Sequence, residues 1–305
     1  MNTPSAEWAR HRERGSIRLL KLMSLVSLHG GRRFSRVFLY AIALYFFCFA
    51  PQARHASRRY LRRALLREPS ARERFRQVLY FATVIHDRVF LINDRFAEFE
   101  ISIDGEALLR ERLNAGDGAF LMGAHLGSFE VLRSLGRRQA GLSVVMAMYE
   151  DNARRINSIL SAINPSARPE IVPLGHIDSM IRIGERLDQG AFVGVLADRT
   201  LGEEAVRRVQ FLGAPASFPL GPMRAAAIMR RPVIFMAGLY RGGNRYHLVL
   251  EPVADFSNVS RADRDAAVNA AVDRYAAVLE KYCRLEPYDW FNFFDFWDDA
   301  HARAA

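Results

Sequence analysis

The sequence predicts an α/β fold, a mixed, mostly parallel sheet flanked by helices, preceded by a helical, membrane-associating N-terminal region. Three observations carry this. Short apolar runs such as "AFLM", "LSVVMAM" and "AFVGVLAD" alternate with segments whose apolar residues recur at helical spacing. The 305 residues, 50% of them apolar and 25% charged, suffice for a sizeable core. The charge is also unevenly divided. Residues 1–80 hold 17 Lys+Arg against 4 Asp+Glu, and the remainder 26 against 29.

The N-terminal region, residues 1–98, explains the last observation. The stretch "VFLYAIALYFFCFA", Val37 to Ala50, is preceded by Arg32, Arg33 and Arg36 and followed by Arg54, Arg58 and Arg59. Arginines that flank apolar sequence suit anionic lipid head groups better than nucleic acid, and no nucleic-acid partner is expected. A solvated basic face is the bland alternative. Fourteen apolar residues fall short of the roughly 20 that a spanning helix needs, so a helix lying in the interface is favoured over a short tilted span. The position, after 36 other residues, does not suit a signal peptide. The earlier segment "IRLLKLMSLVSLHG" is its expected helical partner, with Gly30 and Gly31 making the turn between them. "RRYLRRALL" and "RERFRQVLYFATVIHDRVFLI" then read as helices broken near Pro69.

Residues 99–305 read as the α/β domain. "FEISI" alternates as a strand, and "GEALLRERLNAG" is a helix closed by Gly116. "GAFLMGA" is a buried strand, "EVLRSLGRRQ" a helix and "LSVVMAM" a strand. "ARRINSILSAIN" is a helix capped by Asp151 or Asn152, and "EIVPL" a strand. "IDSMIRIGERLDQG" is a helix ending at Gly190, followed by the strand "AFVGVLAD". The strands "AVRRVQFLG" and "PVIFMAGLY" bracket the helix "GPMRAAAIMR". "RYHLVLEPV" and a long helix from Arg261 to Leu285 complete the order.

Two cysteines, Cys48 and Cys283, cannot form a disulfide framework or an all-cysteine metal site. No metal site is predicted. The chemistry candidates sit where buried strands end, which is where open α/β sheets bind ligands. In "GAHLGSFE", His125 and Glu130 follow one such strand, and in "ADRTLG", Asp198 and Arg199 follow another. His125 and Glu130 read as a catalytic pair, as metal ligands or as a polar cap of the strand–helix junction, and spacing alone favours the cap. As a pair, His125 would take a proton from a hydroxyl while Glu130 fixes the tautomer. Gly127 and Ser128 would ease the turn, with backbone N–H groups there facing an oxyanion. Ser128 lacks the second glycine of a nucleophile elbow, and the H-E-x-x-H zinc pattern is absent.

"AHLGSFE", "ADRTLG" and "VQFLGAPASFPLGPMRAA", in that order, resemble the bacterial lipid A late (secondary) acyltransferase family. That family belongs to the lysophospholipid acyltransferase superfamily, with its His-x4-Asp/Glu motif. The resemblance implies transfer of a fatty acyl group from an acyl carrier protein or coenzyme A thioester to a hydroxyl of a lipid acceptor. It implies no cofactor, the thioester being a co-substrate, and no metal. It makes His125 the general base and Glu130 its orienting carboxylate. Gly127, Ser128, Asp198, Arg199, Phe211, Gly213 and Gly221 become substrate-binding residues, the last three shaping a groove. It implies a place at the cytoplasmic side of the inner membrane. Arg154–Arg155, Arg207–Arg208 and Arg230–Arg231 are candidate docking pairs for the acidic carrier protein.

The chain departs from the family in two places. Ser128-Phe129 stands where members often have Asn-Trp. The tail "PYDWFNFFDFW" resembles acyltransferases of aryl polyene pathways, which would give an aryl polyene-type acceptor rather than a lipid A-type one. An aromatic cluster that packs the terminus onto the core reads the tail equally well. A non-catalytic lipid-binding membrane protein and a lipid hydrolase are the alternatives in function.

Overall fold

The computed structural model describes residues 17–132, 142–149, 152, 154, 158–160, 163–164, 170–175, 177–200 and 204–297. Three helices come first: α1 (Ile17–Phe49), α2 (Pro51–Leu65) and α3 (Ala71–Ile92). Helix α1 is broken at Gly31 (φ 79°, ψ 160°), so the predicted two-segment arrangement with a glycine between them is present. Helix α3 starts with a capping box. The Ser70 side chain accepts from the Glu73 N–H, and the Glu73 carboxylate accepts from the Ser70 N–H.

The burial of α1 is inverted relative to an ordinary core helix. Ser24, Ser27, Arg32 and Ser35 are buried with Leu39 and Ala43, whereas Phe34, Val37, Phe38, Leu44, Tyr45 and Phe49 are exposed. Its buried face is held by polar contacts. Arg32 donates to both carboxylate oxygens of Asp87 on α3 at 2.7 Å, and Tyr246 donates to the same carboxylate at 2.8 Å. Ser27 and Ser35 approach His86 Nε2 at 3.2 and 2.8 Å.

The α/β half follows as β1 (Glu100–Asp104), α4 (Glu106–Ala115), β2 (Phe120–Gly123), β3 (Val144–Tyr149), β4 (Ile171–Leu174), α5 (Ile177–Asp188) and β5 (Phe192–Leu196). Then come β6 (Val206–Phe211), β7 (Ala214–Pro219), α6 (Gly221–Ile228), β8 (Pro232–Tyr240), β9 (Arg245–Asp255) and α7 (Arg264–Leu285). A further helix begins at Phe129, but residues 133–141 lie outside the described residues, as does Asp151. Seven strands form one sheet in the order β1-β9-β8-β2-β5-β3-β4. Every neighbouring pair is parallel except the β8–β9 hairpin. The central strands are buried along their length, as continuous apolar runs in a covered parallel sheet require.

The "FLGAPASFPLG" segment, expected to shape a groove, is a two-stranded antiparallel hairpin of β6 and β7. Leu212 and Gly213, both with positive φ, turn it, and the Glu280 carboxylate accepts the Leu212 N–H at 2.6 Å.

Candidate active site

Strands β2 and β5 are parallel neighbours, with Gly123 paired to Leu196. His125 and Asp198 each lie two residues past that last rung, so both emerge from the same end of the sheet, side by side. The His125 Nδ1 lies 2.8 Å from Asp198 Oδ1. The His125 backbone N–H donates to Asp198 Oδ2 at 3.0 Å, and Trp290 Nε1–H donates to that same oxygen at 3.0 Å. The carboxylate is therefore gripped from three sides, with Asp198 1% and Trp290 0% exposed. The imidazole, by contrast, is 30% exposed.

This corrects one expectation. The group on the imidazole Nδ1 is Asp198, not Glu130. Glu130 sits near the start of the next helix, buried, with Oε1 3.8 Å from Arg88 Nε of α3. The chain between His125 and Glu130 is directed elsewhere by the β8 strand. Gly127 forms a bridge to Gly238, and Ser128 N–H donates to Gly238 O at 2.7 Å. A Cβ at Gly127 would meet Gly238 O at 2.1 Å, and one at Gly238 would meet Ser128 O at 2.3 Å. Two glycines are therefore required for this close approach. Phe129 lies against the bare backbone of Gly194 in β5, where a Cβ would meet the ring at 2.8 Å.

A second expectation is also corrected. The backbone N–H groups of Gly127 and Ser128 do not face an open site. Gly127 N–H donates to Asp289 O at 3.0 Å and Ser128 N–H to Gly238 O. The cation beside the pair is Arg199, whose Nη2 donates to Phe291 O at 3.2 Å and whose guanidinium lies 5.1 Å over the Phe294 ring.

Electrostatics set the protonation states. Burial lowers the His125 pKa below its ordinary value, Arg199 pushes the same way, and Asp198 opposes both. Burial works to raise the Asp198 pKa, but His125 and Arg199 outweigh it and hold the carboxyl well below the usual range. Burial lowers the Arg199 pKa, yet a guanidinium keeps its charge. The resting state is a neutral imidazole on a carboxylate, and the bond to Asp198 assigns its proton to Nδ1. Nε2 is then the basic nitrogen.

The C-terminal tail, read as an aromatic cluster or a specificity feature, builds the site itself. Trp290, Phe296 and Trp297 pack with Tyr60, Phe211 and Phe218. Phe211 thus belongs to the cluster backing Trp290. Gly213 turns the hairpin next to Glu280, and Gly221 opens α6. Trp290 O accepts from Gln77 Nε2 at 2.7 Å, and Phe291 N–H donates to His125 O at 2.7 Å. Sequence reasoning missed Trp290 as a partner of Asp198; the density of aromatic residues around it is the only signal present. Of the proposed carrier-docking pairs, Arg207 is held by Asp273, and Arg231 by Asp117 and Asp188. No cluster of three or more His, Cys, Asp or Glu suited to a metal occurs among the described residues.

Fold and site together define an open α/β sheet with a His–Asp pair at the ends of two neighbouring parallel strands. The bacterial lipid A biosynthesis acyltransferase family matches residues 17–298. The chain belongs to that family and is an acyltransferase, and the family implies acyl transfer to a lipid acceptor. No curated protein matches the chain.

Proposed function

We propose that this acyltransferase moves a fatty acyl group from a thioester to a hydroxyl of a membrane lipid, with His125 as general base. The observation that carries the reading is the 2.8 Å contact of His125 Nδ1 with Asp198, which leaves Nε2 as the unprotonated nitrogen of a 30% exposed imidazole. The acceptor O–H gives its proton to Nε2 while its oxygen attacks the thioester carbonyl carbon. The Arg199 guanidinium opposes the negative charge that gathers on the carbonyl oxygen. Collapse of the tetrahedral intermediate breaks the C–S bond, and the leaving sulfur takes the proton back from the imidazolium. Asp198 stabilises that imidazolium. Glu130 is a positioning residue that lies opposite Arg88 and braces the chain behind the motif. The sequence needs no acyl-enzyme, and the thioester, on acyl carrier protein or coenzyme A, takes the place of a cofactor.

The acceptor is read as lipid A-type or aryl polyene-type, and the enzyme as working at the cytoplasmic face of the inner membrane. Support for a membrane surface lies in α1 and α2. The exposed face of α1 is apolar, and α2 is rich in arginine, with His55, Arg58, Arg59, Arg62 and Glu68 lining a cleft of about 420 Å³. No single described helix is long and apolar enough to cross a membrane, but α1 and α2 form a pair bent by 95° whose combined composition passes that test. An apolar helix joined at this angle to a basic one suits interfacial binding, with arginines at the head groups.

The test is acyl transfer to a membrane lipid extract, run separately with acyl carrier protein and coenzyme A thioesters and read by mass spectrometry. An acylated lipid lost in His125→Ala supports the reading. Free fatty acid formed without acceptor would mark a hydrolase, and thioester left unconsumed would mark a lipid-binding protein. Sedimentation with anionic vesicles, lost on Phe38→Ser/Phe49→Ser, tests the membrane contact.

A further inference from the structure

A tetrahedral intermediate at the thioester carbonyl concentrates negative charge on one oxygen, and acyl-transfer sites hold that oxygen with fixed N–H donors. Three of the motif's own backbone N–H groups are already engaged. The N–H of His125 is bonded to Asp198, that of Gly127 to Asp289 O and that of Ser128 to Gly238 O.

The tail carries a candidate. Asn292 is 1% exposed, yet neither its Nδ2 nor its Oδ1 has a hydrogen-bond partner among the described residues. Holding a carboxamide out of water with both ends unpaired is unfavourable, and native proteins rarely do so without a functional reason. Its neighbours in the chain fix its place. Phe291 and Phe293 both contact the Phe81 ring, at 5.3 and 5.4 Å. Trp290 donates to Asp198, and Phe294 lies under Arg199. Asn292 stands between Trp290 and Phe294 in the chain, in the stretch of tail that runs along the His125–Asp198 pair and Arg199. Phe291 N–H, one residue earlier, is bonded to His125 O.

We infer that Asn292 is a further catalytic residue, whose Nδ2–H donates to the thioester carbonyl oxygen as it becomes an oxyanion, alongside Arg199. It exchanges no proton; it offers a neutral donor that is held in place before reaction begins. The inference rests on the acyl-transfer reading of His125 given above.

Asn292→Leu, similar in volume and apolar, separates this role from a structural one. The expected result is a kcat lower by on the order of 10²-fold, with little change in KM for the thioester. The Tm should hold or rise, because an unpaired buried amide has been removed. Wild-type kcat with a held or raised Tm would overturn the inference, as would a raised KM at unchanged kcat. If Asn292→Leu does not fold, Asn292→Ala is measured in the same way, and failure of both to fold makes the amide structural and overturns the role. His125→Ala is assayed in parallel. Retained turnover there defeats the acyl-transfer mechanism, whereas an inactive His125→Ala with a normal Asn292→Leu defeats only this inference.

Discussion

His125 Nδ1 and Asp198 Oδ1 lie 2.8 Å apart although 73 residues separate them in sequence. The pair exists because β5 lies beside β2 in the sheet, ahead of β3 and β4, which come between them in the chain. Removing the charge while keeping the shape probes it. Asp198→Asn should lower kcat by on the order of 10²- to 10⁴-fold, as when the orienting carboxylate of a hydrolase triad is neutralised. The pH profile should move as well. In the proposed mechanism His125 works as its neutral form, so the acid limb of kcat/KM should fall below the ordinary histidine value of 6.5 in the wild type, because burial and Arg199 depress the pKa. Asp198 opposes that depression, so its neutralisation moves the limb lower still.

Glu130→Gln gives the contrasting outcome. Glu130 faces Arg88 at 3.8 Å and Asp198 holds the ring, so the substitution should reduce turnover by disturbing the motif without moving the acid limb. A limb displaced as far as in Asp198→Asn would return the orienting role to Glu130. Steady-state rates from pH 5 to 9 distinguish the two.

Gly127 and Gly213 both have positive φ but differ in surroundings. A Cβ at Gly127 meets the Gly238 carbonyl oxygen at 2.1 Å, whereas one at Gly213 meets nothing within 4 Å. Gly213→Ala should therefore cost about 1–2 kcal/mol, the left-handed backbone penalty alone, and keep activity. Gly127→Ala forces the motif away from β8 and should abolish activity. Urea unfolding and the transfer assay measure both.

How far the sequence revealed this structure varies along the chain. The buried strands were legible because apolar runs of β2, β5 and β8 have no other home, and helix breaks were legible at Gly31, near Pro69 and at Gly116. Strand β7 was not, since "APASFP" carries two prolines and small residues and reads as a turn. His125 and Asp198 were each legible as strand-end residues. Their pairing was not, because spacing favours Glu130, four intervening residues away, over a partner brought close only by strand order. The part played by Trp290 was hidden for the same reason, since a tail beyond the last helix has no local signal for where it docks.

The attachment of α1 has its own test. The buried Arg32–Asp87 pair, completed by Tyr246, joins α1, α3 and β9, with Asp87 0% and Arg32 7% exposed in their side chains. Asp87→Ala leaves a buried guanidinium without its carboxylate and should destabilise the protein by about 3–5 kcal/mol in chemical unfolding. A loss under ~1 kcal/mol would show that α1 is held mainly by apolar packing instead.

The central claim is that His125 moves the proton of the acceptor hydroxyl. The most direct measurement is single-turnover acyl transfer from a radiolabelled thioester to membrane lipid by His125→Ala, with folding verified by circular dichroism. The account predicts a folded protein that binds thioester and leaves the lipid unacylated. Labelled lipid formed at a rate near that of the wild type would contradict it.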